Sequence, residues 1–364
     1  MCLNHQISEA FSEAHANAFA ERLVDSLNEG ALCLMLSIGH RTGLFDTMAK
    51  LPEATSNSIA AAAGLNERYV REWLGAMVTG RVVHYQPEQK TYHLPAEHAS
   101  VLSRSSGENI AVFAQYIPVM GQVEDDIVNC FYQGGGLPYE RYPRFHEIMA
   151  EDSGQTVLAS LLDHILPLEP TLVDKLRQGI RVLDVGCGRG KALNLLAREF
   201  PNSEFIGMDL SAEAVAYAND EATQYGLTNV RFEQQDVSDF DRTAEPEAYD
   251  LVFTFDAVHD QANPLRVLKG INKTLKPDGV YLMQDIHSSS EVQNNLDHPV
   301  GTLLYTISTM HCMSVSLGQN GEGLGTMWGR EKAIELLHEA GFTRVDVHQL
   351  EHDFQNDYYI IRKK

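Results

Sequence analysis

Three glycines stand at alternate positions in Asp184-Val-Gly-Cys-Gly-Arg-Gly190, at the end of the apolar run Arg181-Val-Leu-Asp-Val185. A chain that turns this sharply from strand into helix offers backbone N–H groups to a ligand. The loop is no triphosphate-binding P-loop, because Lys191 is followed by Ala192 rather than Ser or Thr. It also departs from the dinucleotide pattern: the third glycine comes one residue early, and Asp184 precedes the first. A carboxylate at this point repels a pyrophosphate but accepts a hydrogen bond from a cationic amine. Asp209, closing the next strand-like run, is placed to hold both hydroxyls of a ribose. Asp236, after the third run, is placed to accept from an exocyclic adenine amine. An ammonium group, a ribose and an adenine without phosphate together describe S-adenosylmethionine.

Transfer of a methyl group from a sulfonium is an in-line displacement, so a protein contributes mainly alignment and exclusion of water, with a base where the acceptor carries a proton. Asp256-Ala-Val-His-Asp260 follows the fourth strand-like run, at the carboxyl edge where ligands of such sheets bind. Further on, Met310-His-Cys-Met313 offers a soft pocket wall, and the glycine-rich run Gly318–Trp328 a mobile lid. Cys312 is not needed as a nucleophile, because direct displacement has no enzyme-bound intermediate. His287, His311 and Cys312 lack any recognisable ligand spacing, so no metal is expected.

These groups need a frame. From Arg181 onward, strand-like runs at Arg181–Val185, Glu204–Met208, Val230–Gln234, Asp250–Phe255 and Gly279–Gln284 alternate with helical patterns at Ala192–Glu199, Ala212–Tyr225 and Pro264–Leu275. That alternation predicts an α/β fold with a doubly wound, largely parallel sheet. Glu331–Ala340 reads as a last helix, with Arg344–His348 and Asp357–Arg362 as closing strands. Residues 1–105 read as mainly helical. In Asn66–Val78, Asn66 is an N-cap and Tyr69, Val70, Trp73, Leu74 and Met77 recur at helical spacing. Arg81–Tyr85 and Thr91–Leu94 flank a turn and read as a two-stranded hairpin, which after helices makes a winged helix. Residues 106–175 read as an irregular helical bridge and pocket cover over the catalytic half, broken by Gly134-Gly-Gly136, and 176–364 as the catalytic domain with a pocket insertion at 286–328.

Composition narrows the roles. A chain of 364 residues with 44% hydrophobic content fills more than one core. The apolar run Ala31–Ile38 is far shorter than the roughly 18 residues of a membrane span, and the Met1–Gln6 start lacks the basic segment of a secretory signal, so a cytoplasmic protein is expected. The five cysteines, an odd number without Cys-x-x-Cys spacing, argue against a disulfide framework. A formal net charge of −22 repels nucleic acid and anionic membranes. A cofactor-sensing DNA-binding regulator remains an alternative, but the arginines of Asn66–Val78, Arg68 and Arg71, are matched by Glu67 and Glu72.

Asp184–Gly190, Gly207-Met-Asp-Leu-Ser211 and Gln235-Asp-Val237 resemble the successive cofactor motifs of class I S-adenosylmethionine-dependent methyltransferases. The resemblance implies a Rossmann-like methyltransferase sheet that binds the cofactor through Asp184, Gly186, Gly188, Gly190, Asp209, Leu210, Asp236, Val237 and Phe255. In relatives with an N-terminal winged-helix domain, a His-Asp pair after the fourth strand supplies the general base, and His259 and Asp260 fall there; the family pattern continues with Trp, where this chain has Gln261. Asp285 and His287, after the fifth strand, can orient that base or line the pocket, and His287 and His311 are the next candidate bases. The insertion, with Ala111–Cys130 and Phe145–Ser153, resembles a subgroup that methylates small thiols such as sulfide and methanethiol. A thiol with a pKa of about 8.5 ionises easily beside a histidine, so S-methylation of a small thiol is the first expectation. O-methylation of a phenolic or polyketide-like acceptor is the alternative. The resemblance also implies a homodimer built on the N-terminal domain.

Overall fold

The computed structural model describes residues 11–105 and 109–363, which divide into two compact units, one ending at Pro118 and the other beginning at Val119. The Met1–Gln6 start and Cys2 lie outside the described residues.

The first unit opens with a 29-residue helix, α1 (Glu13–Arg41), capped by the Ser12 side chain. Helices α2 (Leu44–Met48), α3 (Ser56–Ala63) and α4 (Glu67–Thr79) follow. Asn66 caps α4 as expected, its side chain accepting from Arg68 N at 3.0 Å. Val70, Trp73, Leu74 and Met77 enter a core with Leu44, Phe45 and Ile59, and the Trp73 indole donates to the Met35 carbonyl of α1 at 2.9 Å. Tyr69 does not join them. It is 80% exposed, because it lies one helical step off the stripe that Val70, Trp73, Leu74 and Met77 define. The hairpin is present as β2 (His84–Gln86) and β3 (Thr91–His93), but it is not two-stranded: β1 (Ala54–Thr55) pairs antiparallel with β3, giving the order β1-β3-β2.

The second unit is built on a seven-stranded sheet in the order β6-β5-β4-β7-β8-β10-β9. Strands β4 (Arg181–Val185), β5 (Glu204–Asp209), β6 (Val230–Gln234), β7 (Tyr249–Phe255) and β8 (Leu275–Ile286) are parallel. β9 (Arg344–Leu350) and β10 (Asp353–Arg362) form an antiparallel end. Successive residues of a strand face opposite sides, and here both sides are buried. Leu183, Val252 and Met283 pack under helices Pro264–Thr274 and Gly329–Glu339, while Val182, Leu251 and Leu282 pack under helices Lys191–Glu199 and Ala212–Gln224. The continuous apolar runs of the sequence are thus the signature of a sheet covered on both faces. The parallel strands all end at one edge, and the chemistry-bearing residues collect there.

Candidate active site

At the carboxyl end of β4 the chain turns through Gly186 and Gly190, both at positive φ (79° and 67°). A Cβ at Gly186 would overlap Ala257, and one at Gly190 would overlap Phe232 and Ala218, so both glycines permit close packing. Gly188 differs: a Cβ there would meet nothing within 4 Å. Its N–H donates to Asp209 Oδ2 at 2.8 Å, while Asp209 Oδ1 accepts from Ser211 N at 2.8 Å, tying the end of β5 to the turn. Asp184 is buried, with Oδ1 lacking any partner. Burial, reinforced by the charge of Asp209, pushes its carboxyl up to about 8. An unpartnered buried carboxyl is costly, and a cationic group placed against it would relieve the cost. Asp236 is exposed beyond β6, its Oδ1 accepting from Ser238 N at 2.8 Å. Leu210 is exposed beside Asp209. Phe255 is partly buried and stacked on Phe253. Val237 packs in the core with Met208 and Phe240, so what it can offer a ligand is its backbone.

Past the end of β7, Asp256 adopts a left-handed conformation (φ 50°), a strained backbone for a non-glycine residue. Three residues on, His259 is buried, and its Nδ1 lies 2.8 Å from Asp285 Oδ1 at the end of β8. That oxygen also accepts from Ile286 N at 2.8 Å and from the Trp328 indole at 3.0 Å. Burial alone would depress the imidazole, but the Asp285 carboxylate and the Cys312 thiol outweigh it and hold its pKa well above the usual histidine value. Asp260 accepts from the Tyr139 hydroxyl; burial pushes its carboxyl up to about 6 against the opposing pull of His259 and Tyr139.

His311 lies fully buried in the insertion, stacked on Phe145 with ring centroids 3.4 Å apart and edge-on to Tyr142 at 4.6 Å. Neither ring nitrogen has a partner, and burial, with His146 and His259 nearby, holds it neutral well below the usual value. Tyr139 faces His311 edge-on at 5.6 Å and stacks on His146, so it links this aromatic group to Asp260. His287 sits elsewhere: its Nδ1 is 3.0 Å from Asp357 Oδ1, with Arg330 and Gln349 as further neighbours, none of them shared with His259. Of the residues singled out in the sequence, the structure therefore brings together His259, Asp260, Asp285 and His311, and leaves His287 apart. Tyr139, Tyr142, Phe145 and Trp328 had no individual role assigned, although the first three lie in the expected pocket cover and Trp328 ends the glycine-rich run.

Residues 30–104 match the family described as the Rv2258c-like winged HTH domain, and residues 176–350 match a family described as a methyltransferase domain. A trans-aconitate 2-methyltransferase of Acidovorax sp. (strain JS42) is 27% identical over 166 residues, which cover 46% of this chain and 58% of that one. The chain spans about half the length of the curated relatives it matches. The solved structure of the mitomycin 7-O-methyltransferase MmcR is 17% identical with a TM-score of 0.68, covering 96% of this chain and 99% of that one. Human N-acetylserotonin methyltransferase in complex with S-adenosylmethionine is also 17% identical, with a TM-score of 0.63 and coverage of 98% and 99%. At these identities the likeness to both is one of fold.

Proposed function

We propose that this chain, a winged helix-turn-helix domain joined to a methyltransferase domain, transfers a methyl group from S-adenosylmethionine to an oxygen of a small acceptor. The observation that carries the reading is the buried His259–Asp285 pair at the carboxyl edge of the sheet, one strand from the glycine turn. Asp184, Asp209 and Asp236 would hold the amine, ribose and adenine of the cofactor, and the orphaned Asp184 Oδ1 fits a cationic group. When bound, the cofactor supplies an activated methyl group on sulfur. The protein's own residues do the rest. With Nδ1 committed to Asp285, His259 Nε2 is the nitrogen left to take the proton of the acceptor hydroxyl. Asp285 keeps the ring in that tautomer and stabilises the imidazolium that forms. Tyr139, Tyr142, Phe145 and the neutral His311 would pack against the acceptor and exclude water.

The acceptor expected from the subgroup resemblance was a thiol; an oxygen acceptor has the better support. A phenol, with a pKa near 10, needs a strong base, whereas a thiol near 8.5 ionises with little help. A histidine held above its usual pKa by a buried carboxylate is, once it has lost its own second proton, the stronger base that a phenol needs, so transfer should rise with pH through that raised pKa, and the aromatic group around His311 suits a ring. MmcR is itself named for methylation at oxygen. The reading includes a homodimer through the first unit, because α1 leaves Phe19, Leu23, Val24, Leu27, Leu34 and Ile38 exposed. It does not include DNA binding: Arg68 and Arg71 of α4 are paired with Glu72 and Glu67. Among the described residues no helix is long and apolar enough to cross a membrane.

The test is a panel of catechol, phenol, sulfide and methanethiol with methyl-labelled S-adenosylmethionine. Label is expected in catechol or phenol faster than in either thiol. Faster transfer to a thiol restores the S-methylation reading, and transfer to none of the four refutes methylation of small phenols.

A further inference from the structure

Asp256, His259 and Asp285 each present a ligand-type atom, and these atoms all lie within 4.8 Å of one another. The three come from two neighbouring strand ends, Asp256 and His259 from beyond β7 and Asp285 from β8. Asp285 is fully buried; Oδ1 takes three donors, while Oδ2 has no partner. Asp256 Oδ1 is buried and likewise without a partner. Two carboxylates thus face a single imidazole, with two oxygens unsatisfied at a depth where such atoms are costly.

We propose that Asp256, His259 and Asp285 bind one divalent transition-metal ion. Two oxygens and one imidazole nitrogen make a donor set that suits a borderline ion such as Zn²⁺ and that the harder Mn²⁺ also accepts through its oxygens, whereas the nitrogen makes it poor for Mg²⁺. The ion displaces the His259 Nδ1 proton, which leaves to solvent, and takes the unpartnered Asp285 Oδ2 and Asp256 Oδ1 as its oxygen ligands. The left-handed Asp256 backbone is then a strained turn kept to aim that carboxylate. A metal-bound imidazole is a poor proton acceptor, so the loaded chain would be silent in methyl transfer. The site therefore inhibits rather than serves the activity proposed above, and the binding measurement stands whether or not that activity is right.

The full chain is titrated with MnCl₂ and, separately, ZnCl₂ by calorimetry, and bound Mn²⁺ is examined by pulsed electron paramagnetic resonance. One ion per chain is expected, with coupling to one imidazole nitrogen. Asp256→Asn should weaken binding by roughly tenfold or more, since losing a ligand costs at least what losing an outer partner of a ligand costs. Failure of both ions to bind at millimolar concentration overturns the proposal. So does bound Mn²⁺ without nitrogen coupling, a readout that needs no variant to fold. Affinity undiminished in both Asp256→Asn and His259→Gln overturns it as well, by assigning the ion to surface histidines.

Discussion

On the side of the sheet proposed to hold the cofactor, Asp184, Asp209 and Asp236 lie at the carboxyl ends of three adjacent parallel strands, and backbone geometry places them. On the side proposed to hold the acceptor, Tyr139, His259, Asp285, His311 and Trp328 come from segments spread over half the chain, and buried side-chain contacts place them. The first side is held by backbone-to-carboxylate bonds between adjacent strand ends, such as Gly188 N to Asp209. The second rests on a single carboxylate oxygen, Asp285 Oδ1, that gathers an imidazole, an indole and a backbone N–H. The contrast teaches that strand ends can assemble a set of polar groups with little help from the rest of the fold, whereas a buried His–Asp pair at this depth exists only when remote segments pack correctly. The two sides should therefore fail independently.

The largest separation is expected from Asp209→Ala. Losing two charge-assisted hydrogen bonds, each contributing roughly 1.5–3 kcal/mol, should weaken cofactor binding by about a hundredfold or more. Calorimetry with S-adenosylmethionine checks this, and unchanged affinity would break the cofactor half of the comparison.

Asp184→Asn sharpens it through stability. The Asp184 carboxyl, raised from 3.8 to about 8 in the fold, keeps its proton to a higher pH than in the unfolded chain. Between those values the folded state binds more protons, so this group's contribution falls as pH rises through the window, and the loss is complete above about pH 8. The Asn variant escapes that loss and should gain up to a few kcal/mol on wild type from pH 4 to pH 8.5. Denaturant melts across the range, without cofactor, measure it. In the presence of S-adenosylmethionine the gain should vanish, because the amine then compensates the carboxylate.

Trp328→Phe acts on the other side. It removes one of the three donors to Asp285 Oδ1, and turnover should fall about tenfold with cofactor affinity intact. Steady-state kinetics beside calorimetry separate the two quantities, and a parallel loss of both would mean that Trp328 merely supports the fold. The smallest effect on the site belongs to Leu27→Asp on the exposed face of α1. It should turn a dimer into a monomer in light scattering without moving cofactor affinity.

The same contrast governs how much could be read beforehand. β4 and β6 appear at the bounds their apolar runs suggest, and Asp184, Asp209 and Asp236 lie where the motif order puts them, because strand ends and glycine turns are local properties of the chain. Asp285 was legible as a partner of His259 because it ends the next strand. Trp328 and the Tyr139–Phe145 group were not, since their role arises from packing between segments with no shared period. His287 went the other way: two residues past Asp285, it would share that residue's face if the strand continued, but β8 ends at Ile286 and His287 pairs instead with Asp357 on β10. β1 was missed because two residues carry no alternation to recognise.

The central claim is that His259, oriented by Asp285, is the base, and that the cofactor is held without it. The direct measurement pairs cofactor affinity by calorimetry with single-turnover methyl transfer to the best oxygen acceptor, in wild type and His259→Ala. The account predicts an unchanged affinity and a rate lowered by about a hundred- to ten-thousandfold, the usual contribution of a positioned general base. A rate within a few-fold of wild type, or a rate and an affinity that fall together, would contradict it.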